Sequence, residues 1–205
     1  FFPCFDGMRK FAPRVQLLTF TTIQLLVYFD RGAFSQVAGL VRGAYDVGAT
    51  AQGALGTFFT FGVAIASPLV AWLGHLSDRA PMYCIGAGLL VWVAANAMIG
   101  LAVGGSGPGW FSPLLGLRTL AGVGEAGFCA LGPLVVDACA PPARRGLYLG
   151  TYFMSMFVGT ALGYAVGGFL MGTLKTWARI KPLFAVEAGV MAVFIVLVTG
   201  CAGKF

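Results

Sequence analysis

The hydrophobic pattern of this chain has the reach of a lipid bilayer. A helix needs about 20 mostly apolar residues to cross the hydrocarbon layer, and six runs of that kind occur, at 15–38, 50–72, 82–103, 112–137, 147–171 and 181–200. The period-two alternation of a membrane barrel is missing. Helices are the other structure whose backbone is satisfied in lipid, so the predicted fold class is an all-α membrane protein with six transmembrane helices. The links are short and rich in helix breakers: 44–49, 75–81, the run Gly-Gly-Ser-Gly-Pro-Gly at 104–109, and 141–146, where paired prolines cannot continue a helix. They leave no room for a soluble domain. The expected organisation is a cytoplasmic N-terminal segment over 1–14, a six-helix bundle over 15–200, and the start of a link to further sequence in 201–205.

Composition agrees with this reading. Of the 205 residues, 59% are apolar and 10% charged, and the mean hydropathy is +0.88, whereas a soluble domain carries about 25% charged residues. The 31 glycines suit helices that pack through small residues. The five cysteines are scattered, without a C-x-x-C pair, and there is one histidine. They read as packing residues, and no metal site, cofactor or enzyme chemistry is expected. The net charge of +6 comes from dispersed basic residues and does not form a nucleic-acid patch. Placing the N-terminus in the cytoplasm puts seven basic residues on that side (Arg9, Lys10, Arg14, Arg79, Arg144, Arg145, Lys204) against four opposite (Arg42, Lys175, Arg179, Lys181), as the positive-inside rule requires.

The informative residues are charges placed where charge is expensive. An ion at the centre of a bilayer helix costs about 2.5–3.5 kcal/mol on insertion scales and normally marks a bundle interior or a pathway. The first helix carries Asp30 and Arg31 side by side. Adjacent residues diverge by about 100°, so their expected partners lie on other helices. The fourth helix supplies them in Arg118 and Glu125, seven residues apart and therefore on nearly the same face, about 10 Å apart along the axis. Gly122 lies between them and admits a close neighbour or ligand. Such a balanced set suits reversible proton uptake. The competing reading is a static ion network.

Two glycine patterns need separate treatment. Gly122-Val123-Gly124-Glu125-Ala126-Gly127 matches G-x-G-x-x-G, but that fingerprint requires a strand before it and a helix opening after it. Inside an apolar helix its glycines read as packing positions. Gly159, Gly163 and Gly167 repeat every fourth position on the fifth helix, a flat seam for helix contact.

Between the second and third helices stands Gly74-His75-Leu76-Ser77-Asp78-Arg79. This G-x-L-x-D-R resembles the signature of the major facilitator superfamily. The likeness implies a cytoplasmic charge network that opens and closes during alternating access, here Gly74, Asp78 and Arg79 with Asp137, Arg144 and Arg145. The family often continues with further basic residues, where this chain has Ala80-Pro81-Met82-Tyr83. Tyr28-x-Asp30-Arg31, the run from Arg118 to Ala126, the run from Ala130 to Asp137, Gly163-Tyr164 and Trp177-Ala178-Arg179 are similar to the spinster-type branch of that superfamily.

That resemblance implies the N-terminal half of a major facilitator fold, in a transporter of sphingolipids or lysophospholipids whose substrate lies between two six-helix halves. It also implies that Asp30, Arg31, Arg118 and Glu125 couple protons to substrate movement. The implied partners are an amphipathic lipid-like molecule, protons, the membrane and a second six-helix half. Two alternatives stand beside it: an organic-anion facilitator using Arg31 and Arg118 as carboxylate clamps, and a non-transporting membrane scaffold.

Overall fold

The computed structural model describes residues 13–77, 80–101 and 107–202; the side chains of Pro108 and of residues 197–202 are outside the description. Among the described residues the chain is helical and contains no strand. The order is α1 (Pro13–Tyr45), α2 (Ala49–Gly74), α3 (Ala80–Leu101), α4 (Phe111–Cys139), α5 (Arg145–Leu174), α6 (Trp177–Ile180) and α7 (Pro182–Ala202), with 3-10 turns at Pro108–Trp110 and Pro142–Arg144. Six long helices thus stand where six spans were expected. Four segments (Ala49–Gly74, Ala80–Leu101, Phe111–Cys139 and Pro142–Leu174) are long and apolar enough by themselves to cross a membrane. The first helix, at 33 residues, is longer than any of the other helices but carries Gln16, Gln24, Asp30 and Arg31 along its length.

The helix ends differ from the sequence expectation in ways the packing explains. The first helix runs on past residue 38 because Val41 and Tyr45 are fully buried beneath Trp177, Ile180 and Phe184. Its link to α2 shrinks to Asp46–Gly48, and Asp46 takes a left-handed turn at φ 52°. The four-residue α6 had no hydrophobic period to announce it. It is held by the indole N–H of Trp177, which donates to the Tyr45 hydroxyl at 2.7 Å.

The bundle is organised by close backbone contact. α5 lies along α1, while α4 packs against both α2 and α3, and α3 against α7. Three glycines of α5 lie against the backbone of α1: a Cβ on Gly159 would meet the Leu25 carbonyl, on Gly163 the Phe29 carbonyl, and on Gly167 the Ala33 carbonyl at 2.9 Å, with Gly32 answering from α1. The glycines of the false nucleotide fingerprint are packing positions too. Gly122 faces Phe59 of α2, and Gly124 and Gly127 face α3. The neighbour admitted between Arg118 and Glu125 is therefore α2.

Candidate functional site

The four charges singled out on α1 and α4 converge. Asp30 and Glu125 are fully buried and Arg118 is 3% exposed. Nη1 of Arg118 donates to both Asp30 oxygens, at 3.0 and 3.2 Å. Arg31 donates to Glu125 through two nitrogens, Nε to Oε2 at 3.3 Å and Nη2 to Oε1. The adjacent pair on α1 thus reaches two positions on α4, and each acid takes the other helix's arginine. Ionised partners with paired donors make the stronger class of hydrogen bond, and a buried pair broken on one side costs about 3–5 kcal/mol.

The two pairs differ in access. The Arg118 and Asp30 side chains are 3% and 0% exposed, whereas the Arg31 side chain is 30% exposed above a fully buried Glu125. One pair is sealed and the other has an open cation. Aromatic rings hold both guanidiniums: Arg118 lies 3.7 Å from the Phe34 ring centre, and Arg31 4.6 Å from that of Tyr28. Phe59 of α2 touches both cations, at 4.9 and 5.0 Å, giving the attraction of a cation for a π face.

Three contributors are not among the residues expected from the sequence. Cys129, expected as a packing residue, donates its thiol to Glu125 Oε1 at 3.2 Å. Phe59 had no distinguishing pattern. Glu187 of α7 is 7% exposed and has Asp30 and Arg118 as charged neighbours. Its signal was available, an acid within an apolar span of the kind that singled out Asp30.

The residues expected to form a gate are described only in part. Asp78 and Arg79 lie outside the described residues. Gly74 ends α2 against the Leu131 side chain of α4. Asp137 faces Arg145 at 3.7 Å with both side chains about half exposed, a contact of about 0–1 kcal/mol, while Arg144 is exposed in the adjoining turn. The described residues contain no cluster of His, Cys, Asp and Glu able to hold a metal.

A buried, charge-paired centre inside six long helices defines a class of protein. The family model of the Major Facilitator Superfamily matches residues 20–201, and the chain belongs to that superfamily. Within it the similarity is to spinster-type proteins. The chain is 35% identical over 158 residues to a probable sphingolipid transporter, spinster homolog 1, of Arabidopsis thaliana (77% of this chain, 30% of the relative). It is 33% identical over 209 residues to spinster homolog 3 of the same plant (94% and 38%), and 28% identical over 178 residues to the protein spinster of Drosophila melanogaster (85% and 27%). The chain spans about a third of the length of these relatives. It is a multi-pass membrane protein, and the two plant relatives are named as probable sphingolipid transporters.

Proposed function

We propose that this chain forms the N-terminal half of a secondary transporter that moves lysophospholipid or sphingolipid-like amphiphiles by proton-coupled alternating access. The observation that carries the reading is the unequal pair Arg31–Glu125, an accessible cation held by a sealed acid. A proton on Glu125 removes the charge that holds Arg31 and frees its guanidinium fork for an anionic head group, for which arginine is well shaped. Loss of that proton re-forms the pair and expels the head group. Asp30 and Arg118 keep α1 and α4 in register while the outer pair exchanges partners. Exposed apolar side chains such as Phe61 on α2 and Phe157 on α5 offer hydrocarbon for an acyl chain.

In this reading Asp78, Arg79, Asp137, Arg144 and Arg145, with Gly74 as the close-packed hinge, form the cytoplasmic gate. A contact as weak as Asp137–Arg145 suits a latch that must open in every cycle. The names of the plant relatives support the choice of substrate class.

The test is uptake of a fluorescent lysophospholipid into proteoliposomes holding the full-length protein, with pH varied on one side. Glu125→Gln is expected to leave insertion intact and flatten the pH dependence. An unchanged pH profile would remove Glu125 from the coupling.

A further inference from the structure

Among the described residues, the charges of this centre do not balance. Asp30, Glu125 and Glu187 are three acids, and Arg31 and Arg118 are two bases, all within one charged neighbourhood. Each arginine already holds one carboxylate, so Glu187 is the acid left over. Both of its oxygens are buried with no donor. The Asp30 carboxylate stands beside it. Two acceptors face to face form a bond only if one of them carries a proton. A buried ionised carboxylate with neither donor nor counter-ion is among the most costly groups a protein can hold.

Among the described residues, the charged groups that perturb Glu187 are Asp30 from α1 and Arg118 from α4. The helix packed along α7 is α3, and its segment Ala80–Leu101 contains no Asp, Glu, Lys or Arg. Arg179 of α6 is exposed. Arg118 has a vacant donor of its own, since its Nε is buried without an acceptor.

We propose that Glu187 is a second proton-binding site of this protein, holding a proton shared with Asp30. Protonated, its O–H donates to the Asp30 carboxylate, and Arg118 stays committed to Asp30 through Nη1. When the proton leaves as H⁺, Glu187 becomes a second carboxylate beside Arg118 and takes the vacant Nε–H, tying α7 to α4 through one arginine shared by two acids. The proton therefore selects between an α1–α7 bond and an α4–α7 bond. This use rests on the proton-coupled reading above, but the proton itself is detected without any measurement of flux.

The sequence provides a clean probe, since Glu125 and Glu187 are the chain's two glutamates. The chain is reconstituted in lipid bilayers at neutral pH, with and without glutamate carrying a ¹³C carboxyl, and its protonated-carboxyl C=O stretch is read by infrared spectroscopy. One such band is expected to move with the glutamate label, to vanish in Glu187→Gln and to persist in Glu125→Gln. Glu187→Asp, which keeps a carboxyl and guards against misfolding of the amide variant, should leave a protonated band that no longer responds to the label. A label-sensitive band that survives Glu187→Gln, or the absence of any label-sensitive band in the unmodified chain, overturns the assignment. The role of Glu125 would be untouched by that result, because it is decided by the pH profile of uptake.

Discussion

Alanine at position 163 adds one methyl group at the place where α5 and α1 run closest. The Cβ would stand 2.8 Å from the Ala33 amide nitrogen and 3.0 Å from the Gly32 Cα, and nearer still to the Phe29 carbonyl oxygen. Comfortable contact between heavy atoms is about 3.5–4.0 Å. Each of these neighbours is backbone and cannot rotate away, so α5 must retreat by roughly 0.5–1 Å, which forfeits a quarter to a half of the dispersion energy along the seam. Overpacking of this kind costs about 1–3 kcal/mol. Gly150 lies on the same helix with nothing within 4 Å of its would-be Cβ, and alanine there gains up to about 1 kcal/mol of helix propensity. Thermal unfolding in detergent, followed by tryptophan fluorescence, should show a lower midpoint for Gly163→Ala and an equal or higher one for Gly150→Ala. Equal tolerance of both alanines would refute the close approach of the two helices.

Further outcomes follow from the charged centre and its supports. In a Glu187→Gln background, Asp30→Ala leaves Arg118 buried without a counter-ion and should cost about 3–5 kcal/mol. The double variant Asp30→Leu/Arg118→Met should recover most of the unfolding midpoint while remaining inactive in uptake. Arg31→Lys keeps the charge but loses the fork, so it should weaken competition by anionic lysolipids in the uptake assay. Small carboxylic acids that displace the lipid as effectively as lysolipid does would favour the organic-anion facilitator instead. Trp177→Phe removes the donor to the buried Tyr45 hydroxyl and should lower stability by about 1–3 kcal/mol, measured as a fall in melting temperature that Tyr45→Phe does not deepen in the double variant.

The sequence made the helices and their charges visible because both follow from cost. A charge in hydrocarbon is dear enough that Asp30, Arg31, Arg118 and Glu125 could be singled out from position alone. Their pairing was less legible. Helical spacing places Arg118 and Glu125 on one face of α4, but the reach of a flexible arginine decides which acid it takes, and that depends on how α1 and α4 lie together. Gly122 was visible as a point of close approach, while the identity of the neighbour, α2, is a fact of tertiary packing. Glu187 carried the same signal of cost, but its apolar run offers no base on the same face, as Arg118 does for Glu125, to mark it as part of a charged centre. The extension of α1 to Tyr45 was hidden for a different reason. Its apolar residues beyond position 38 are separated by Gly39, Arg42 and Gly43, and only contact with Trp177 and Phe184 shows that they belong to the interior.

Phe59 ties the two ion pairs to a helix that carries no charge of its own. The ring lies within about 5 Å of both guanidiniums, and its backbone presses on Gly122 midway between the α4 members of the two pairs. In the proposed cycle, the departure of Arg31 from Glu125 for a head group takes away one of the ring's two cations and leaves the other. On that proposal the imbalance reaches the wall between α2 and α4, where Phe59 meets Gly122, and the occupancy of the outer pair is registered mechanically at that joint.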